Sequence, residues 1–557
     1  MDSDDQWCSE TASAAYASLG QADRIGGMAS NGFDYEKNAK KINAWVSDKN
    51  YKPSRGDIQI THDSDGARHT AVVMSCDGNK IKLIAGGGKG IHYKTMSVGA
   101  SKITGYVVPK KSEDTNEDKD KENTDDKDSS DDNQDDNNSD KPTPSTKGKT
   151  YYVSKNGSDS NSGTEEGKPL KKIQTAIDKM KAGDKLIIKE GTYHEKVKID
   201  AKGVSGKPIQ IEGSGKVKID GENHGGILLK IKEGSKYIDI KNITFENLKG
   251  NEARGISVEE NTSYLKILNC KFYNITCPDP DDDTANAIYL EGSGSTREKA
   301  IDNVVIKDCK LSKVCPGWSE GISVDCNCTN ITIDNVTATA DGAKTNIAIC
   351  VCGNDKDTNS HFDVNRPKNV YIKNCNVSGC KSPYGQSAYG IYVDSACNVT
   401  IENNTVTSSE GGIEVGSEIH KSSQNNKETE KVVVKNNKIK NCLFGMYVGG
   451  FSEDNNGGYA YDVMISNNEI IDCGGKESEM ITFDRCNKVS FINNTVKASN
   501  KARIIYVRNA AKSLSFGNNR YSSGRSASSD SNFGKENSDY SFSKWVKKYN
   551  DKNSKFE

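Results

Sequence analysis

The chain of 557 residues has no apolar run of about 18 residues, so no helical membrane span is expected. It opens Met1-Asp2-Ser3-Asp4-Asp5, without the basic and then apolar segments of a leader. Net charge is nearly absent, at −2, but its distribution is uneven. Residues 112–141 hold fourteen Asp or Glu against four Lys, a net of −10, which leaves about +8 on the remainder. A mildly basic folded part suits an anionic polymer. Residues 111–149 have no aromatic side chain and cannot bury a core, so they are expected to be a solvated acidic linker. Histidines at zinc-site spacing from a Cys-x-x-Cys pair are missing too, and Cys326/Cys328 and Cys350/Cys352 are expected to diverge. The 16 cysteines are mostly dispersed through one long segment at regular intervals, which points to buried free thiols stacked inside a repeat.

That repeat is the strongest pattern present. A polar residue followed three positions later by an apolar one recurs at Asn242, Asn269, Asp308, Asn335, Asn374, Asn403, Asn436, Asn467, Asn493 and Asn518, at intervals of 25 to 39 residues. These lengths fit single coils of a β-solenoid with loops of varying size. Upstream of the polar positions lie short strands, apolar at alternate positions: 255–258, 287–290, 321–324, 390–393, 411–415 and 445–448. The residue after the polar position changes from Ile243, Cys270, Cys309, Val336 and Cys375 to Asn404, Asn437, Asn468, Asn494 and Asn519. That switch predicts an internal asparagine ladder, so its Asn-x-Thr triplets are structural. A helix over 170–182 would plug the N-terminal end, and Phe542, Trp545, Val546 and Tyr549 would dock the tail.

Outward positions of the same strand form a column: Glu259, Glu291, Asp325, Cys352, Asp394, Gly416, Gly449, Asp484, Arg508. Neighbouring rungs lie about 4.8 Å apart. Long insertions on both sides would wall a groove over this face. One expectation is acid/base hydrolysis by paired carboxylates. Asp325 and Asp394 would be about 10 Å apart and Glu414 about 8 Å from Asp394, with Glu418 close behind. The other is a calcium site built from Asp279, Asp281, Asp282, Asp283 and Glu291, which would neutralise the carboxylate of an acidic sugar. Trp318, Tyr384, Tyr392, Tyr447, Asp484 and Arg508 are the candidate substrate contacts.

The segments Tyr151–Thr164, Lys168–Gln174 and Gly191–Glu195 resemble the opening of secreted bacterial pectate-lyase-like β-helix proteins. They look most like family 9 polysaccharide lyases and the β-helix glycosidases that share this opening. The resemblance, over roughly 150–550, implies a mainly β chain: a right-handed parallel β-helix of about ten coils over 150–557. It also implies a polysaccharide partner, calcium as the candidate cofactor, and a mature protein secreted or held at the cell surface. The dense Asp-Asp-Gly-x-Asp calcium motif and the lysine base of family 9 lyases are absent from the column, which places hydrolysis ahead of elimination.

Residues 1–110 carry Cys8 just before a helical run, Thr11–Leu19, and His69 at the start of an alternating strand. A helix N-terminus stabilises a thiolate, and a histidine can take the thiol proton. This order resembles CHAP amidase domains, with NlpC/P60 close behind, and implies a small α+β papain-like domain acting on peptidoglycan. Ile84–Gly88 holds no orienting third residue, so Asp57, Asp77 or no group at all fills that role. The alternative to a glycan-cleaving enzyme is a non-catalytic binding solenoid whose only enzyme is the Cys8/His69 domain. Nucleic acid is not an expected partner, and the chain is expected to be a monomer.

Overall fold

The computed structural model describes residue 25, residues 32–109 and residues 148–557, except 55, 64–67, 78, 88–89, 294–295, 354–363, 384–387, 418–428, 451–457, 476–478, 509–510 and 537. The chain divides into two compact units, Met1–Pro142 and Thr143–Glu557. No helix among the described residues is long and apolar enough to cross a membrane.

In the first unit, strands run antiparallel in the order Trp45–Val46, Ile103–Val107, Ile58–His62, Arg68–Asp77, Lys80–Gly87, Gly90–Ser97. The helix Gly32–Lys41 contributes Tyr35 and Ala39 to a core with Ile58, Ile60 and Val107. The described part is thus mostly antiparallel sheet, and the papain-like arrangement is not evident in it. Cys8 and the helix expected over Thr11–Leu19 lie outside the described residues.

The second unit is a parallel β-helix. A typical coil contributes three strands, for example Ser263–Leu268, Lys271–Thr276 and Ala285–Glu291. The third strand of each coil stacks into a 13-stranded sheet from Val197–Ile199 to Ser538–Tyr540, parallel except for the last pair. Counting the polar turns gives about ten coils and misses the first and last rungs of this sheet, where the turn residue is absent.

The recurring polar residue now has a cause. All ten positions, from Asn242 to Asn518, have φ between 50° and 60°. This left-handed conformation costs most L-residues roughly 1–2 kcal/mol, and Asn and Asp tolerate it best. The turn bends the chain from the first strand of a coil to the second, so its residue type repeats with the coil.

Just inside the turn the expected ladder forms. The Nδ2 groups of Asn404, Asn437 and Asn468 each donate to the Oδ1 of the next asparagine at 3.0 Å, and the backbone amides of the same residues donate to that oxygen at 2.9 Å. Asn494 continues the run to Asn519. All five are buried, yet each amide has its partners, which offsets the cost of removing them from water. In earlier coils Cys270, Cys309 and Cys375 fill the same position as buried free thiols.

Both ends are covered. The N-terminal helix is shorter than expected, Ile173–Ile177, because Lys172 is extended and the Asp184 carboxylate accepts the Lys181 amide, closing residues 181–184 as a turn. It buries Ile173, Ala176 and Ile177, and Glu195 accepts the amides of Ile173 and Gln174. At the other end the helix Phe542–Tyr549 seats a fully buried Trp545 among Phe516, Phe533 and Tyr549.

Candidate active site

Strand pairing puts the predicted column in register. Glu291 pairs with Asp325, Asp325 with Cys352, Cys352 with Asp394, Asp394 with Gly416 and Gly416 with Gly449. Two residues earlier a second outward column runs Tyr289, Ser323, Cys350, Tyr392, Glu414, Tyr447, Thr482 and Tyr506. Side chains two apart on a strand share a face, so the columns lie side by side.

Contacts between the columns run diagonally. The Tyr289 hydroxyl donates to Asp325 Oδ2 at 2.8 Å, one rung along. The Tyr447 hydroxyl lies 3.2 Å from Asp484 Oδ2, again one rung along, and 3.1 Å from the Gly450 carbonyl. Burial, reinforced by the adjacent carboxylates, raises both phenols well above their ordinary range. Burial also raises the Asp325 carboxyl, opposed by hydrogen bonds from Cys326 and Tyr289. Arg508 Nε sits 3.3 Å from Asp484 Oδ2, so this predicted pair of substrate contacts is also an ion pair.

Between the two Tyr–Asp pairs the diagonal partner of Tyr392 is a glycine. Gly416 and Gly449 remove two consecutive side chains from the column, leaving a notch flanked by Tyr392, Glu414 and Tyr447. A Cβ on Gly416 would lie 3.2 Å from Glu414 Oε1 and 3.3 Å from Tyr392 Cε2. Gly449 is glycine for a different reason: at φ 151° its Cβ would stand 2.1 Å from the Asp484 carbonyl oxygen. From Asp394 to Asp484 the notch spans three rungs, roughly 14 Å. Asp394 ends it as a buried carboxylate, 5% exposed, accepting the Ser395 hydroxyl at 2.7 Å.

The remaining predicted residues fall as follows. Trp318 is exposed and its indole N–H donates to the Asp281 carbonyl, fixing the ring beside the 279–283 loop. That loop does not gather a cation site. Asp283 and Asp279 accept the amides of Asp279 and Asp281, and Glu291 lies 3.3 Å from Arg254. No three of these carboxylates bring oxygens within 4.8 Å of one another, so among the described residues they do not fit calcium. Tyr384 and Glu418 lie outside the described residues. In the first unit His69 Nε2 lies 2.9 Å from Asp63 Oδ2, whereas Asp57 is taken by the Tyr51 hydroxyl and the Ser54 amide. The carboxylate found beside His69 is thus that of Asp63, which the sequence reading did not name.

Sequence reasoning missed Tyr289, although it occupies the same strand position as Tyr392 and Tyr447. It also misplaced Cys350 and Cys352: residues two apart on a strand point the same way, and these thiols stand together on the outer face. The other pair does part, since Cys328 enters the core while Cys326 donates to Asp325 Oδ1 at 2.8 Å.

Residues 151–310 match the family described as Pel9A-like, right handed beta helix region, and 286–457 and 360–537 match the right handed beta helix region. In sequence the chain is similar to the uncharacterized protein YwoF of Bacillus subtilis (strain 168), 28% identical over 335 residues. That match covers 56% of this chain and 66% of the relative, just under two thirds of its length. Similar solved structures include an alginate lyase from Paenibacillus sp. str. FPU-7, at 14% identity and TM-score 0.40, covering 56% of this chain and 95% of that one. The GH136 lacto-N-biosidase from Eubacterium ramulus is 13% identical at TM-score 0.40, covering 66% and 65%. Pectate lyase Pel9A is 14% identical at TM-score 0.37, covering 58% and 78%. Residues 151–537 are thus a right-handed parallel β-helix, similar in sequence to the Pel9A-like region over 151–310 and to the general right handed beta helix region from 286 onward.

Proposed function

We propose that the outer face of the 13-stranded sheet binds an extended polysaccharide and cleaves it at the glycine notch. The observation that carries this reading is the in-register column, in which two Tyr–Asp pairs flank two successive glycines beside Tyr392 and Glu414. A repeating scaffold fills its outward positions with side chains, and an interruption beside carboxylates makes room for a ligand ring. The Pel9A-like match supports a polysaccharide as that ligand.

Asp394 and Glu414 are the proposed acid/base pair. They sit diagonally across neighbouring rungs, about 8 Å apart by strand geometry, which suits an inverting hydrolysis with water between them. One carboxyl protonates the leaving oxygen and the other takes a proton from the attacking water. Tyr447 offers its ring for stacking beside the buried Tyr392, and Asp484 with Arg508 positions the chain beyond the notch. The protein is read as acting outside the cell, where such polymers are found.

The test is release of reducing ends from a panel of acidic and neutral polysaccharides. Asp394→Asn should lower the rate by about a hundredfold or more with the fold intact. An Asp394→Asn protein of undiminished activity overturns the site. A parallel rise in the ultraviolet absorbance of unsaturated product means elimination instead of hydrolysis. Loss of cleavage on calcium chelation would reassign the Asp279–Asp283 loop.

A second reading concerns the first unit. The His69–Asp63 pair supports a cysteine amidase with Cys8 as nucleophile, acting on peptidoglycan. Cys8→Ala should abolish release of peptidoglycan fragments and leave polysaccharide cleavage unchanged.

A further inference from the structure

The outer face carries one more group of side chains that the cleavage reading does not use. Strands Glu320–Asp325 and Ile347–Cys352 are parallel neighbours, with Glu320 beside Ile347, Ser323 beside Cys350 and Asp325 beside Cys352. Cys350, which is buried, and the half-buried Cys352 share the face of Ser323 and Asp325, and a Glu320 carboxylate oxygen joins them. The three donor atoms all lie within 4.8 Å of one another. No other such group of three occurs among the described residues.

We infer that Glu320, Cys350 and Cys352 form a binding site for a borderline-soft divalent ion of the zinc class. Two sulfurs and one carboxylate are the donors such an ion prefers, whereas calcium takes only oxygen. Donors on one tetrahedral zinc ion stand roughly 3.3–3.8 Å apart, given bonds of about 2.0–2.3 Å, so a small rotation of these side chains completes the set. Binding releases the two thiol protons to solvent and leaves two thiolates and one carboxylate on the ion. Asp325 Oδ1 lies 3.8 Å from Cys352 Sγ and Ser323 Oγ 3.7 Å from the same sulfur, so further oxygen donors stand next to the site. The Ser319 hydroxyl donates to Glu320 Oε2 at 3.3 Å and helps hold that carboxylate in place. Three protein donors leave a fourth position for water or for an oxygen of a ligand lying along the face.

The strand position of the pair is what makes the site. Stacked thiols elsewhere in the chain, such as Cys270 and Cys309, are sealed in the apolar core. Among the described residues only this pair of thiols gathers with a carboxylate within 4.8 Å, and it does so irrespective of whether the notch cleaves anything.

The test uses the full chain with thiols kept reduced and metal removed, titrated with cobalt(II) as a spectroscopic probe and then with zinc. Wild type should bind one equivalent of cobalt with thiolate-to-metal charge transfer and strong visible bands, and zinc should abolish both. The double variant Cys350→Ser/Cys352→Ser should lose these bands, Glu320→Gln should weaken binding by about tenfold or more, and Cys326→Ser should keep them. Excess calcium should leave the bands unchanged. Absence of thiolate bands in the reduced wild type overturns the proposal, as does their persistence in the double variant or displacement by calcium. Should the double variant fail to fold, Glu320→Gln decides, because wild-type affinity in that variant also overturns the site. The readout is spectral, so its failure is separate from failure of the cleavage reading.

Discussion

Two columns run along the later coils of the same solenoid, one inside and one outside, and they obey opposite rules. In the asparagine ladder each residue repeats its predecessor, and each buried amide finds its partner one rung away. On the outer face the register is equally regular but the chemistry varies along it, from carboxylate to thiol to bare backbone: Glu291, Asp325, Cys352, Asp394, Gly416, Gly449, Asp484. Repetition marks positions where the scaffold satisfies itself. Variation within a fixed register marks positions where something else is to be met.

The largest expected effect breaks the inner column. Asn468→Leu removes the oxygen that accepts both the backbone amide and the Nδ2 group of Asn437, and the Nδ2 donor to the Val434 carbonyl. Three buried polar groups lose partners at about 1–3 kcal/mol each, so a loss of at least about 3 kcal/mol is expected in denaturant unfolding. Cys309→Val, at the equivalent position of an apolar coil, should cost less than about 1.5 kcal/mol. Equal losses in the two variants would mean that the ladder is not what stabilises the later coils.

A smaller effect sharpens the comparison at the outer column's first acidic position. Burial alone would raise the Glu259 carboxyl, but hydrogen bonds from Lys230 and Lys232 outweigh it and bring it from its ordinary 4.5 to about 2. Lys230 Nζ lies 2.6 Å and Lys232 Nζ 2.8 Å from its oxygens. A depressed folded-state value stabilises the fold above about pH 4.5, and that contribution is lost as pH falls toward 2. Glu259→Gln should therefore flatten the acid limb of a stability–pH profile while leaving the neutral shape unchanged. An identical acid limb in the variant would remove Glu259 from the account.

What was legible in the sequence follows the same division. The coil repeat could be read because each left-handed turn demands Asn or Asp, and the ladder because its residues are identical. The column's register followed from the repeat. Its chemistry did not, since the partner of Asp325 is Tyr289, 36 residues away and diagonal across rungs. The 279–283 loop looked like a cation cage by composition, yet its carboxylates turn back onto the loop's own amides. His69 found Asp63 because residues 62 and 68 pair across a hairpin, which strand alternation alone does not reveal.

The smallest effect on stability should carry a large effect on function. Gly416 has room for a methyl group only by crowding Glu414 Oε1, Tyr392 Cε2 and the Gly449 carbonyl at 3.2–3.3 Å. Removing backbone freedom from the unfolded chain offsets that crowding, so Gly416→Ala should change stability by less than about 1 kcal/mol. The added methyl group nevertheless sits on the floor of the notch, where a ligand ring would rest against the backbone. Weaker polysaccharide binding and slower cleavage with unchanged unfolding would separate the outer column from the inner one, where every comparable change is paid in stability. If Gly416→Ala binds and cleaves like wild type, the glycines are there only to let neighbouring rungs approach, and the outer face must be read by the scaffold's rule after all.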